Sequence, residues 1–248
     1  MPLDYLRRIS GRERTALANQ QLGTVLAFVA GAANAGGFLA VQHYTSHMTG
    51  VISALADNIA LGNVSIALGW LASLLCFMAG ATLSSLLINW ARDSQLNSEF
   101  VLPLVLEAIL MLAFGLLGAR IHEHITLYVS ATVLLLCFMM GLQNAMITKI
   151  SRAEIRTTHV TGLVTDISIE LGRFLYWINR PVDEEVSADN KKNLCLHGAL
   201  VLMFLLGGII GALGFKNIGF TFSIPLAVLL VLLSIMPLLD DLRLQFKK

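Results

Sequence analysis

Charge is what this sequence has least of: 13% of its 248 residues are Asp, Glu, Lys or Arg, against about 25% in soluble domains. The deficit is concentrated. No charged side chain occurs in the 42 residues from Thr15 to Ala56, and further gaps run Asn58–Ala91, His124–Thr148, Asn193–Phe215 and Asn217–Leu239. A helix of about 20 apolar residues crosses a hydrocarbon core of about 30 Å, so the gaps exclude a soluble enzyme, a nucleic-acid binder and a disordered chain. Cysteine is also scarce. Cys76, Cys137 and Cys195 lie far apart within apolar runs, where a thiol packs as a small hydrophobe, and this excludes a secreted disulfide scaffold. Equally missing are a Ser-His-Asp ordering, a phosphate-cradling glycine loop after a strand and a basic-aromatic stripe for nucleic acid. No enzymatic activity, cofactor, metal or nucleic-acid partner is therefore expected.

What is present is a polytopic all-α membrane protein. Six runs are long and apolar enough to span, at Leu22–Val41, Val64–Trp90, Phe100–Ala119, Ile125–Ile147, Leu194–Leu213 and Gly219–Leu239. Two more, His47–Leu61 and His159–Ile178, carry an apolar stripe at helical spacing but include Asp57, Asp166 and Glu170. Lys and Arg are retained on the cytoplasmic side, which arbitrates. Six spans with both termini inside leave 15 of the 17 basic residues on the inner side, with Arg120 and Lys216 outside, whereas eight spans leave 12 inside. The expectation is six full spans plus two polar re-entrant or short helices, between cytoplasmic tails at 1–20 and 241–248. The acidic stretch Asp183–Asp189 reads as an exposed inner loop.

The two polar segments are related to each other. Phe28-Val-Ala-Gly31-Ala-Ala-Asn34-Ala35 aligns with Phe138-Met-Met-Gly141-Leu-Gln-Asn144-Ala145, and Thr45-Ser-His47-Met-Thr49-Gly50-Val-Ile-Ser53 with Thr157-Thr-His159-Val-Thr161-Gly162-Leu-Val-Thr165; 8 of the 17 pairs are identical. Fainter echoes follow in order, Phe77 and Gly80 with Phe204 and Gly207, then Pro103-Leu104 with Pro225-Leu226. The chain is thus a duplication, repeat A at 21–119 and repeat B at 120–240. Each repeat holds three spans, an odd number, so the copies enter the membrane from opposite sides. That is the inverted-topology arrangement of many secondary transporters. Irregular backbone at membrane depth must be buried in protein or line water, so the two segments predict a polar centre.

The candidate substrate-binding residues follow: Asn34, Thr45, His47, Thr49 and Gly50 in one copy, Asn144, Thr157, His159, Thr161 and Gly162 in the other. Hydroxyl residues are preferred helix N-caps, and a helix N-terminus offers free N–H groups and partial positive charge to an anion. Alternatively the Thr side chains only cap, the His bond between helices, and the two Asn bridge helices. A carboxylate at bilayer depth costs at least about 2.5 kcal/mol and is a functional candidate by default. Asp57, Glu107, Asp166 and Glu170 are accordingly candidates for proton or ion coupling, with Arg173 a ready partner for Glu170. Glu107 has Leu229 as its repeat counterpart. His122-Glu123-His124 and the pair His43/His47 lack zinc-helix spacing or a third ligand and are discounted as metal sites.

Taken together, Asn34-Ala-Gly-Gly37 through Thr45-Ser-His-Met-Thr-Gly50 and Gly141-Leu-Gln-Asn144-Ala145 through Thr157-Thr-His-Val-Thr-Gly162 resemble the motifs of the YoaK-type family of bacterial multi-pass inner-membrane proteins. The resemblance extends over residues 20–240. It implies location in the inner membrane and architecture, and brings no biochemical activity with it. The expected function is a small secondary carrier or channel for a polar solute, an anion being one candidate. The rival is a non-transporting membrane protein, scaffold or intramembrane enzyme, whose polar centre is structural. The expected partners are the lipid bilayer and that solute; a homo-oligomer is compatible with the sequence but not dictated by it.

Overall fold

The computed structural model describes residues 15–41, 44–96, 99–120, 125–151, 153–178 and 183–245, which form helices and no strand. In chain order these are α1 (Ala16–Val41), α2 (Met48–Ala60), α3 (Val64–Asp93), α4 (Val101–Ala119), α5 (Ile125–Ile150), α6 (Val160–Trp177), α7 (Glu184–Ile218), a 3₁₀ turn (Gly219–Phe222) and α8 (Ser223–Gln245). The tail before Thr15, His43 and the His122-Glu123-His124 cluster lie outside the described residues.

Among the described residues, five helical stretches are long and apolar enough to cross a membrane: Ala16–Ala40, Val64–Asp93, Val101–Ala119, Tyr128–Ile150 and Glu184–Ile235. The last holds 52 residues, which as one straight helix would measure about 78 Å at 1.5 Å per residue. It bends instead at the 3₁₀ turn, where Gly219 takes φ 74°, a left-handed conformation natural to glycine. Helix α2 has 13 residues and α6 has 18, and neither is among the five stretches. The Asp183–Asp189 stretch is not a loop: Asp183 caps α7, accepting from Glu185 N at 3.1 Å. Glu184 and Glu185 fill the first turn of α7, where carboxylates meet the positive end of the helix dipole.

Helices α1 and α5 form the centre. Leu22, Leu26, Ala27, Val29, Ala32 and Ala33 of the first, and Leu136, Met139, Met140, Met146 and Ile147 of the second, are buried in one core. Helices α3 and α7 lie outside them and expose Leu68, Leu75 and Leu86, and Leu202, Leu205 and Leu213. Such a surface suits lipid and would be a liability in water.

The two halves interlock. Helix α1 packs most extensively along α7, and α5 along α3, so each copy's first helix lies on the other's third. The crossings are reciprocal. A Cβ on Gly31 would overlap the Phe204 carbonyl oxygen and one on Gly207 that of Phe28; a Cβ on Gly141 would overlap the Phe77 oxygen and one on Gly80 that of Phe138. These are the residues that the repeat pairs with one another. Glycine here allows backbone-to-backbone packing, the usual source of helix association where lipid supplies no hydrophobic drive. Helices α4 and α8 pack together beside the 3₁₀ turn. Phe114 there meets Phe215 and Phe220 edge-on, with ring centroids 5.5 and 5.7 Å apart.

Candidate functional site

Both polar segments begin their helices in the same way. His47 and His159 occupy the N-cap positions of α2 and α6, and neither side chain caps. This corrects the expectation that hydroxyl residues would do so. The first intrahelical bonds are Val51 N to His47 O and Leu163 N to His159 O, both 3.1 Å. The amides of the three residues before each donor have no partner within their own helix, as at any uncapped start. Each imidazole folds back over the glycine three residues on. A Cβ on Gly50 would approach His47 Nδ1 to 2.8 Å, and one on Gly162 would overlap His159 Nδ1.

The hydroxyls serve another purpose. Ser46 Oγ donates to Asn34 Oδ1 at 3.1 Å and Thr158 Oγ1 to Asn144 Oδ1 at 2.7 Å. In each copy the mid-helix asparagine therefore holds the turn that leads into the short helix. Thr45 and Thr157 are buried, and their hydroxyls have no hydrogen-bond partner among the described residues. The burial pattern is the same position by position, Thr buried, His exposed, the second Thr exposed and Gly half-buried.

The two starts converge. A single cavity of about 710 Å³ is lined by Asn34, Ser46, His47 and Thr49 from one copy and by Asn144, Thr158, His159 and Thr161 from the other. Phe77 and Phe204, the residues of the reciprocal crossings, complete its wall. Gly50 and Gly162 stand behind the imidazoles, and Thr45 and Thr157 are not in the lining.

Both motifs fall inside the stretch matched by a family model, residues 22–236, whose description is protein of unknown function (DUF1275). The chain belongs to the DUF1275 family. The UPF0700 transmembrane protein YoaK of Bacillus subtilis (strain 168) is 24% identical over 194 residues, which is 77% of this chain and 81% of that one. No solved structure matches. The DUF1275 chain is thus a multi-pass transmembrane protein in contact with the bilayer, as the resemblance to the YoaK-type family implied.

The acidic candidates of this DUF1275 chain lie apart from the cavity, since none of them is in its lining. Asp57 and Asp166 are exposed on α2 and α6. Glu170 is buried and takes its hydrogen bond from His197 Nδ1 of α7 at 3.0 Å, a partner that sequence spacing alone assigned to Arg173. Asn190 Nδ2 donates to the Glu170 carbonyl at 3.1 Å. Asn63 and Asn58 form the corresponding pair of the other copy, Nδ2 to Oδ1 at 3.3 Å. Glu107 is fully buried in α4 and faces the Gln143 side chain, and among the described residues neither of its oxygens accepts a hydrogen bond of good geometry. Gln143 of α5 is equally buried and donates to Leu26 O of α1 at 3.1 Å.

Tyr44, Thr148 and Arg156 also line the cavity and escaped the sequence reading. Tyr44 stacks on Phe38 with centroids 4.8 Å apart, and Arg156 Nη1 lies 3.5 Å from His159 Nδ1. Their signal was adjacency: Tyr44 and Arg156 immediately precede the two Thr-x-His motifs.

Proposed function

We propose that this protein is a small secondary transporter or channel for a polar, anionic small solute, with the cavity between the α2 and α6 starts as its site. In this reading it is not an enzyme. It sits in the bacterial inner membrane with both termini in the cytoplasm and six full spans, α7 and α8 counting as two. Helices α2 and α6 enter from opposite faces as re-entrant elements of two inverted repeats. One observation carries the reading: two motifs more than a hundred residues apart in the sequence line one cavity with matching side chains in matching environments. Structural glue needs no shared space, whereas a solute crossing between inverted halves does. The cavity's volume is also that of small-molecule sites, roughly 300–1,000 Å³. Among the acidic candidates, Glu107 is best suited to couple a proton, because its buried carboxyl has no committed partner.

The test is protein-dependent flux in proteoliposomes against a panel of chloride, phosphate, acetate and phenylacetate. The expected result is flux of at least one anion, lost in the double variant His47→Ala, His159→Ala. Flux that survives the double variant removes the site, and a panel without any protein-dependent flux removes the function.

A further inference from the structure

The two helix starts agree at every position of the Thr-x-His-x-Thr-Gly motif and part company one residue before it, where one copy has Tyr44 and the other Arg156. Both side chains line the cavity. Among the described residues its lining contains no Asp or Glu, and the one hydrogen-bond contact of the Arg156 guanidinium is with His159 Nδ1. A guanidinium is charged at any working pH and presents a planar fork that fits a carboxylate. The uncapped starts of α2 and α6 add partial positive charge to the same space.

The Tyr44 side differs in kind. There the cavity adjoins an annex of about 550 Å³, the two sharing Asn34, Tyr44, Val160 and Phe204. The annex runs between α1 and α7 past Phe38, Val201, Leu205 and Gly208. A cationic chamber opening onto an apolar one distinguishes ends of a molecule, which a site for a bare inorganic ion has no use for.

Resting on the transport reading above, we propose that the solute is an organic monocarboxylate with an apolar body. Its carboxylate lies on Arg156 and the two helix starts, and its body lies in the annex beyond Tyr44. Arg156 sets the charge requirement and the annex sets the preference for an apolar body.

Binding to the full chain in lipid nanodiscs tests this without requiring transport. Phenylacetate is expected to bind at least tenfold more tightly than acetate, inorganic phosphate or the neutral phenylacetamide. Arg156→Gln should bring phenylacetate down to the level of phenylacetamide. Gly208→Leu provides a second variant: a Cβ there meets nothing closer than Gly31 O at 3.8 Å, the residue lines the annex, and an unchanged Tm checks that the fold is kept. It should cost phenylacetate at least tenfold and leave acetate unchanged. Dodecanoate above phenylacetate supports an acid drawn from the bilayer, and the reverse order supports one drawn from water. Equal binding of acetate and phenylacetate, tightest binding of phosphate, no binding of any probe, or indifference to Gly208→Leu overturns the proposal. His-dependent flux of an inorganic anion with no preference for phenylacetate overturns only this inference. Phenylacetate binding without flux of any anion overturns the transport reading and leaves the site standing.

Discussion

The two copies of the repeat differ in an orderly way. Where backbone meets backbone, at Gly31 and Gly141 and at Gly80 and Gly207, they are interchangeable. The same holds where an asparagine pins a turn, Asn34 with Ser46 and Asn144 with Thr158. They diverge where a charged or strongly polar side chain reaches the cavity or the core: Arg156 against Tyr44 at the cavity, and Glu107 against Leu229, Glu170 against Asn58 and Gln143 against Ala33 in the core. Architecture is held by what the copies share. The shared motifs also build the cavity; its selectivity and coupling, by this comparison, are to be sought in what the copies do not share, because a buried or cavity-facing charge costs free energy that packing alone would not retain.

The strongest way to break the shared part is to fill a crossing. Alanine at Gly31, Gly80, Gly141 or Gly207 sets a methyl against a carbonyl oxygen of a facing backbone, and neither helix can yield without shifting as a whole. Overpacking of this kind costs about 1–3 kcal/mol, and the upper end is expected here, read as a lowered Tm of the purified protein in detergent. Gly31→Ala and Gly141→Ala should match each other in size. Gly69→Ala, Gly172→Ala and Gly198→Ala serve as controls, since a Cβ at those positions meets nothing within 4 Å. They are expected to be neutral or stabilising by about 0.4–1 kcal/mol. Unequal losses at Gly31 and Gly141 would mean that the halves are not held alike.

Two substitutions probe the charges that one copy has and the other lacks. His197→Ala removes the partner of Glu170 and leaves a buried carboxylate oxygen unpaired, a loss of about 1–3 kcal/mol. The same chemistry predicts that the double variant His197→Ala, Glu170→Asn, which copies Asn58 of the other half, recovers most of that loss in thermal unfolding. Glu107→Leu copies Leu229 and points the other way. It replaces a buried carboxyl that accepts no well-formed hydrogen bond among the described residues with an apolar group, and is expected to stabilise by about 1 kcal/mol. If Glu107 couples a proton, the stabilised variant keeps passive flux in proteoliposomes and loses accumulation driven by a pH gradient. Accumulation that persists would reduce Glu107 to a tolerated defect.

Much of this was legible in the sequence because membranes tolerate few solutions. Apolar runs of 20 residues have one common fate, and all six are helical, apart from Phe100 at the N-cap of its helix. Recurrence named six residues of the cavity lining, Asn34, His47, Thr49, Asn144, His159 and Thr161. Recurrence was also a filter, and it discarded what occurs once: Arg156 and Tyr44 share no identity and so passed unnoticed. The capping error has a local cause. Hydroxyl side chains suit the N-cap, yet Ser46 and Thr158 are drawn to the amide oxygens of Asn34 and Asn144, whose positions just before the polar segments already suited them to holding these turns. The acidic stretch, by contrast, was readable from Asp183 followed by Glu184 and Glu185, an ordinary helix beginning. Glu170 chose His197 over Arg173 because α6 packs on α7, a tertiary contact that spacing along one helix does not encode.

The smallest expected effect bears most directly on whether the pinned turns are equivalent. Ser46→Ala and Thr158→Val each delete one hydrogen bond to an asparagine, at 3.1 and 2.7 Å. Side-chain hydrogen bonds between membrane helices are worth about 0.6 kcal/mol on average, so neither variant should unfold the protein. The shorter Thr158 bond should be the more costly to lose. Each deletion also frees an amide that lines the cavity, and this separates two consequences that stability alone confuses. If the asparagines serve only to hold the turns, both variants lower Tm slightly and leave phenylacetate binding alone. If the amides help to shape the chamber, Thr158→Val, whose turn adjoins Arg156, weakens phenylacetate binding more than Ser46→Ala does. The sign of that difference, measured on the same preparations, decides whether the symmetric pair is purely architectural or has been recruited unequally by the two halves.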